Sequence, residues 1–561
     1  MKTFSIETLG CRVNQYESQQ IAQLLRTRGL IETDASSADL RVIHTCSVTM
    51  HAARESRQSV RRAIRLPLLQ RPEFSFSHQP ACASALSHSH SASVESNQPT
   101  GSASVGSPKH TITEPTFSRS RVLVTGCWAT SDQASAQSIP GVSAVLSHHQ
   151  NMAVELDRLI TAWQLEDARP ANDLRLVPLN DPPSAYEAKD ILTASGPVPM
   201  DDEKDNKWMI QAGAPADLRT TSIKPSAALQ VNQNLVESAR FSAGLADQPG
   251  ANSLPILIAH QTGLQRAVLK VQDGCDAHCT YCIIPQLRPW LWSKPIDQAV
   301  EEAKALVAAG HCEIVLTGIF LGAYGQATAL RRRQASSDMS LAHLIEALCT
   351  RVTGLRRLRL SSIEPGDLTA DLLTVLSSQQ QVMPHFHLPL QSGSDLILRR
   401  MNRQYSRDDF LRMVERVRKA FDRPALTTDV VVGFPGEDDA EFEQTVDVVK
   451  AAGFIHVHAF PYSPRPGTAA ARWTDQFIHG PVVGERLHWL QEISLDQSLL
   501  FRRQFLNQDV EIIIEQGQLR HGRCERYFDV WLDESATLTT GQVARVRITD
   551  VTAQRTFAKC V

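Results

Sequence analysis

The stretch Val271 to Cys282 sets Cys275, Cys279 and Cys282 at C-x3-C-x2-C spacing, with the aromatic Tyr281 just before the last. Thiolates this close in sequence can converge on one soft metal centre. A cube of four irons held by three thiolates keeps one iron without a protein ligand, free to bind something else. A structural zinc knot is the alternative reading. It needs a fourth ligand nearby, and His278 sits awkwardly between two of the thiols for that purpose.

A second set of cysteines is spread along the first part of the chain. Strand-like runs over Thr3–Leu9, Leu40–Thr45 and Arg121–Thr125 each lead into a cysteine, namely Cys11, Cys46 and Cys127. Helical patterns cover Asn14–Leu30 and about Thr49–Leu66. This alternation predicts a small parallel α/β domain. The carboxyl ends of parallel strands share one edge, where ligands bind. Thiols at such ends would meet despite their separation in sequence and could hold a second cluster. Unrelated buried cysteines are the bland alternative.

These sets must be held by a chain of 561 residues, long enough for about three or four domains. The formal net charge of −3 does not advertise nucleic acid in bulk, although a local basic face remains open. Met1–Glu7 enters a strand-like run at once, so no secretory leader is expected, and no apolar run of about 20 residues predicts a membrane span. Eleven cysteines without an export signal suit a reducing cytoplasm, where cysteine more often binds metal than forms disulfides.

Two passages carry no core pattern. Residues 71–110 hold eleven serines and four histidines, so about 68–120 is read as a disordered insertion in a domain spanning 1–165. Residues 166–265, rich in Pro, Ala, Asp and Asn, are read as a disordered linker, with a short helix near Leu229–Phe241. From 266 to 505, strand-like and helix-like runs alternate in about six βα units, which predicts a partial TIM-like barrel. Polar, Gly-rich runs close its strands: Leu316–Gly325, Leu360–Pro365, His387–Ser394 and Thr428–Glu437. There Glu364, Gln391, Ser392 and Asp429 can hold a ribose or an amino group.

After a helical tract at Gly484–Leu506 come short strands at Val510–Glu515, Tyr527–Leu532 and Gln542–Ile548, predicting a small β-barrel over 506–561. It carries Arg520, Arg523, Arg526, Arg545, Arg547, Arg555 and Lys559 among Tyr527, Phe528, Trp531 and Phe557. Such a mixture suits single-stranded or looped RNA, through phosphate contacts and base stacking.

With these motifs assembled, the chain resembles the radical S-adenosylmethionine (SAM) methylthiotransferase family. Thr8-Leu-Gly-Cys-Arg-Val-Asn-Gln-Tyr-Glu-Ser18 is close to the form found in its MtaB-type tRNA branch, which modifies N6-threonylcarbamoyladenosine beside the anticodon. Gly433–Glu437 and Phe460–Thr468 also look like this family. The resemblance implies an α/β fold: a cluster domain, a (βα)6 radical SAM barrel and a carboxyl-terminal TRAM-like barrel. It implies two 4Fe-4S clusters and SAM as cofactors. Cys275, Cys279 and Cys282 would hold the cluster that cleaves SAM, and Cys11, Cys46 and Cys127 an auxiliary cluster bearing the sulfur to be inserted at C2 of the adenine. Tyr281, Gly318, Glu364, Gln391, Ser392 and Asp429 become candidate SAM contacts. The implied partners are a tRNA anticodon stem-loop, a flavodoxin- or ferredoxin-like electron donor and a sulfur donor, all in the cytoplasm. One departure stands out. Where the family continues through an Arg-Gly and a Ser/Arg-rich run, this chain keeps Arg288 but has Pro289, Trp290 and Trp292. Other readings are methylthiolation of another tRNA adenosine or of a ribosomal protein, or a cluster-bearing RNA-binding protein without catalysis.

Overall fold

The computed structural model describes residues 1–67, 120–168, 253–258, 266–330, 339–514, 520–533 and 538–561. The expected disorder at 68–120, most of the 166–265 linker and its short helix fall outside the described residues. The chain divides into one large unit, 1–161 with 244–561, and a second, 162–243, of which only the end of one helix is described.

The amino-terminal sheet is parallel throughout. Its strands are β1 (Thr3–Thr8), β2 (Ile31–Glu32), β3 (Leu40–Thr45), β4 (Arg121–Gly126) and β5 (Ala144–Val145), in the order β2-β1-β3-β4-β5. Every residue of β3 is buried, as expected of a central parallel strand covered on both faces. The covering helices are α1 (Arg12–Thr27), α2 (Met50–Arg65), α3 (Cys127–Ser131), α4 (Gln133–Gln137) and α5 (Met152–Ala168). Thr49 starts α2 by accepting the Ala52 amide, and Val60 of that helix packs with Ile43, Val124 and Trp128.

The central part carries β6 (Arg266–Lys270), β7 (Gln272–Asp273), β8 (Trp292–Ser293), β9 (Glu313–Thr317), β10 (Arg357–Leu360), β11 (His385–His387), β12 (Ala425–Val432) and β13 (His456–Pro461). The six longer strands of this part lie in two parallel three-stranded sheets, β10-β9-β6 and β11-β12-β13, rather than one unbroken barrel sheet. The sheets touch at a single bridge, Leu358 to Val382, and Pro384, with no N–H to donate, follows where the ladder stops. Antiparallel β7 and β8 bracket the cysteine loop.

Side chains alternate across a strand, and here the two faces differ in kind. Leu269, Leu316, Leu358, Phe386, Leu426, Val430 and Val457 pack under the connecting helices in one continuous core. The opposite positions carry Lys270, Glu313, Thr317, Arg357, Arg359, His387, Asp429 and His458, with Val268, Val315, Ala425 and Val431 among them. A TIM barrel fills its interior with branched apolar residues. This chain instead lines the concave side mainly with polar residues, a largely polar trough.

The helix Gly480–Arg503 leads to a closed barrel of β14 (Asp509–Ile514), β15 (His521–Cys524), β16 (Asp529–Leu532), β17 (Val543–Val551) and β18 (Thr556–Cys560). Sequence periodicity found β14, β16 and β17 and missed the short, charged β15 and β18. This barrel closes one end of the trough. Arg357 donates to the Glu511 carbonyl (2.7 Å) and Arg359 to the carbonyls of Glu525 (2.8 Å) and Cys524 (3.0 Å). Tyr527 stacks on His385, with centroids 4.3 Å apart, and its hydroxyl accepts from Arg12 (3.0 Å) and Arg266 (2.7 Å). All three parts of the chain therefore meet at one side chain. Among the described residues no helix is long and apolar enough to cross a membrane.

Candidate metal centres and the face between them

Cys46 and Cys127 follow directly on β3 and β4, and Cys11 comes just after β1, beyond Leu9 and Gly10; the three strands are neighbours in one parallel sheet. Their carboxyl ends lie on one edge, and the thiols come together there. A Cβ on Gly10 would stand 2.7 Å from Cys46 Sγ, so only glycine admits this approach, and its φ is +95°. Gly126, at φ +97°, lets β4 turn into α3 where a Cβ would lie 2.4 Å from the Thr45 carbonyl. Asn14 ties the edge together by donating to the carbonyls of Leu9 (2.9 Å) and Thr45 (3.0 Å). Burial pushes the Cys127 thiol up to about 12, against the pull of Arg288 and with the added charge of Cys11 and Cys46. Cys127 thus feels both other thiols, and Cys46 feels Cys11.

Cys275, Cys279 and Cys282 occupy the loop after β7. Gly274 starts it at φ +77°, where a Cβ would overlap the Trp290 carbonyl at 1.9 Å. The Cys275 amide donates to the Arg288 carbonyl (3.1 Å) and the Thr280 amide to that of Met401 (3.2 Å). Burial pushes Cys282 up to about 12, with Cys279 and Cys275 adding to the rise. Arg403 donates to Cys279 Sγ at 3.2 Å and pairs with Glu364.

All six thiols are free. The donor sets suit soft metal: three cysteines stand on one sheet edge and three on one loop, and burial makes the bare thiolate costly, a cost that a bound metal cation reverses. Cys312, Cys349, Cys524 and Cys560, read as ordinary thiols, are also free.

The two sets are joined by a buried charge network. Glu17 of α1 is fully buried. It accepts from both ends of the Arg288 guanidinium (2.7 and 2.8 Å) and from Lys270 (2.7 Å). Arg288 also donates to Asp273 (2.9 Å), beside the second set, and to His148 Nε2 (3.0 Å). His148 Nε2 in turn lies 4.0 Å from Cys127 Sγ in the first set. Burial alone would raise Glu17; Arg288 and Lys270 overcome it and hold the carboxyl well below its usual range. Burial and the Arg288 charge keep His148 neutral. Two carboxylates thus face two cations, which satisfies the requirement that buried charges be paired. Next along α1, Tyr16 donates to Glu302 (2.7 Å) and accepts from Lys294 (2.8 Å). The Tyr16-Glu17 motif and the cations at 288 and 294 are therefore partners across an internal interface. Glu17, His44 and His148 come within reach of a single ion. The Arg288 guanidinium occupies Glu17 and His148, so the three form no separate metal site.

Among the other residues singled out from sequence, Glu364 lies beside the second thiol set through Arg403. Tyr281 packs edge-on to Phe434, with centroids 6.3 Å apart. Gly318 follows β9, with Gln272 too close to admit a side chain. Gln391 sits at φ +61° and its amide donates to the Asp429 carbonyl (2.8 Å). Asp429 accepts from His387 Nε2 (3.0 Å). Ser392 is fully buried and its hydroxyl accepts the Ser394 amide (3.2 Å) in a turn against Thr445. Sequence reasoning missed His148, Arg403 and the histidines of β11 and β13. The repeated His-x-His at 385–387 and 456–458 was the available signal.

Trp290 is half exposed and meets His149 edge-on at 5.6 Å. Trp292 lies in β8.

Comparison with known proteins follows the same division. A model of the radical SAM superfamily matches residues 269–449, and one described as uncharacterized protein family UPF0004 matches 3–74. The threonylcarbamoyladenosine tRNA methylthiotransferase MtaB of Bacillus subtilis is 30% identical over 520 residues, covering 92% of this chain and 86% of that protein. The MtaB of Chlamydia pneumoniae is 40% identical over 51% of this chain and 66% of that one. The tRNA-2-methylthio-N(6)-dimethylallyladenosine synthase of Maricaulis maris is 38% identical over 50% of this chain and 62% of its own length. Among solved structures, the radical SAM methyltransferase TsrM of Kitasatospora setae aligns over 84% of this chain and 77% of its own, with TM-score 0.45 and 13% identity. Because the match to the B. subtilis protein covers nearly the whole of both chains at 30% identity, the chain belongs to the radical SAM methylthiotransferase family.

Proposed function

We propose that this chain is a tRNA methylthiotransferase that inserts sulfur and a methyl group at C2 of N6-threonylcarbamoyladenosine beside the anticodon. The nearly full-length similarity to an MtaB protein carries this reading. The similarity to dimethylallyladenosine synthases covers only half of the chain. Cys275, Cys279 and Cys282 would hold the 4Fe-4S cluster that binds SAM, and Cys11, Cys46 and Cys127 would hold the auxiliary cluster. When bound, these groups supply SAM cleavage and the sulfur.

The protein's own part is placement. Arg403 steadies the Cys279 thiolate and holds Glu364 next to it. The Glu17–Arg288 network fixes the distance between the two sets. The polar trough, a (βα)6 half-barrel on this reading, receives the base and keeps its alternate face sealed from water by the helical core.

The carboxyl-terminal barrel, read as TRAM-like, brings the RNA. Not all of its basic and aromatic residues are free to do so. Arg523 and Tyr527 pack together at the trough, Arg526 binds Asp422, and Phe528 is core. Arg545 and Arg547 project from one exposed face of β17, where both pair with Asp509 (3.1 and 2.7 Å), and Lys559 stands opposite Arg547 in the ladder. Arg555 lies over Trp531 at 4.4 Å, and Trp531 pairs in register with Phe557. That strip of cations and rings suits phosphate contact and stacking. On this reading the enzyme works in the cytoplasm with a flavodoxin- or ferredoxin-like electron donor.

Anaerobic reconstitution tests the proposal. About eight irons per chain are expected, falling to about four in Cys127→Ala and in Cys279→Ala. SAM cleavage is lost in the second variant alone; about four irons in the wild type would refute the two-cluster reading.

A further inference from the structure

The trough wall formed by β11, β12 and β13 has a use that neither cysteine set explains. Its parallel register places His387 against Thr427, Thr427 against His456, and Asp429 against His458. All of these therefore point to the trough side. The contacts agree: His387 reaches Thr427 Oγ1 (2.9 Å) through Nδ1 and Asp429 (3.0 Å) through Nε2. The His387 and His458 rings are 5.8 Å apart, and those of His458 and His456 are 4.2 Å apart. Yet His456 and His458 remain exposed on this face. The part of His458 set into the wall loses water, and this, with the neighbouring His456, lowers it to about 4, so its ring is neutral and offers both a donor and an acceptor. Arg12 also bears on His458 electrostatically, and Arg12 is next in the chain to Cys11 of the first thiol set. A fixed cation thus borders the histidine wall where the first thiol set lies.

Taking the tRNA reading above as its ground, we infer that His456, His458, His387 and Asp429, with Arg12 at their border, form the pocket for the N6 substituent of the target adenine. The wall selects a substituent of ureido, hydroxyl and carboxylate character. Asp429 accepts from the N–H or O–H groups of such a tail, the histidines donate or accept, and Arg12 balances its carboxylate. An apolar prenyl tail would strip water from these polar groups without replacing its hydrogen bonds. A site built to hydrogen-bond its ligand rejects an analogue that cannot reciprocate.

The test uses the cluster-loaded full chain and synthetic anticodon stem-loops carrying either a threonylcarbamoyl or a dimethylallyl group on N6 of the target adenosine. The wild type is expected to bind the threonylcarbamoyl RNA at least about tenfold more tightly. His456→Leu/His458→Leu should erase that preference by weakening the threonylcarbamoyl RNA alone. Retained binding of the dimethylallyl RNA shows that the variant is folded. His456→Gln/His458→Gln, which keeps hydrogen-bonding groups, should retain most of the preference. A preference unchanged in the leucine variant, or equal binding of both RNAs by the wild type, overturns the pocket and leaves the tRNA reading standing. A wild type that binds neither RNA overturns both.

Discussion

Arg288→Met is the perturbation whose size follows most directly from the structure. The guanidinium donates to Glu17, Asp273 and His148, and its loss leaves two buried carboxylates with Lys270 as their one cation in the network. Removing one partner of a buried pair costs about 3–5 kcal/mol, because the other charge stays buried. The interface between the cysteine domain and the core should open more often by that amount. Cys127 reports the opening, because it is buried against Ile283 and Leu287 across this interface. In the cluster-free chain, the labelling rate of Cys127 by a thiol reagent, read by peptide mass spectrometry, should rise on the order of a hundredfold to a few thousandfold. Glu17→Gln alone should act in the same direction. The double variant Glu17→Gln/Arg288→Met leaves Lys270 facing Asp273, again balanced, so it should recover about 2 kcal/mol of the sum of the two single costs. Wild-type labelling in Arg288→Met, or strict additivity in the double variant, would refute the network as the tie between the two parts.

Three further outcomes are expected. Gly274→Ala places a Cβ into the Trp290 carbonyl at a positive φ, so iron after reconstitution should fall from about eight to about four per chain while the first set stays loaded. Arg403→Met removes a charge-assisted bond to Cys279 Sγ; a redox titration followed by electron paramagnetic resonance should find the potential of that cluster lower by several tens of millivolts, the equivalent of about 1.5 kcal/mol. The Glu17 carboxyl is held well below its usual range, so its stabilisation is complete above the unfolded value of about 4.3 and is lost as pH falls through the folded value. Urea unfolding should therefore find a constant gap between wild type and Glu17→Gln from about pH 8 to 5, narrowing below about pH 4.

Much of the framework was legible in the sequence because periodicity and cysteine spacing are local signals. β1 and β3 fall on the runs read from residue pattern alone, and the placing of the first set on one edge follows from the rule that parallel strands share an edge. What escaped depends on partners far apart in the chain. Nothing near Glu17 in sequence announces Arg288, 271 positions on, and nothing near Tyr527 announces His385. At 289–292 the chain has Pro289, Trp290 and Trp292 in place of the family's Ser/Arg-rich run, and cations remain on either side of it. The structure gives the remaining ones, Arg288 and Lys294, buried partners on α1. The tail's basic residues looked uniform in sequence and divide in the fold, since Arg523 and Arg526 are drawn into the interface with the core while Arg545 and Arg547 stay exposed. Residues 253–258, read as part of a linker, instead lie along α1, where Gln20 and Gln23 bond the carbonyls of Pro255 (2.8 Å) and Ile256 (2.6 Å).

The central claim is the reaction on tRNA, and a nucleoside profile addresses it directly. Transfer RNA from a strain lacking this gene, digested and read by mass spectrometry, should lack 2-methylthio-N6-threonylcarbamoyladenosine and accumulate N6-threonylcarbamoyladenosine. The wild-type gene should restore the methylthio nucleoside, and Cys279→Ala should not. An unchanged level of that nucleoside in the deletion strain would contradict the account.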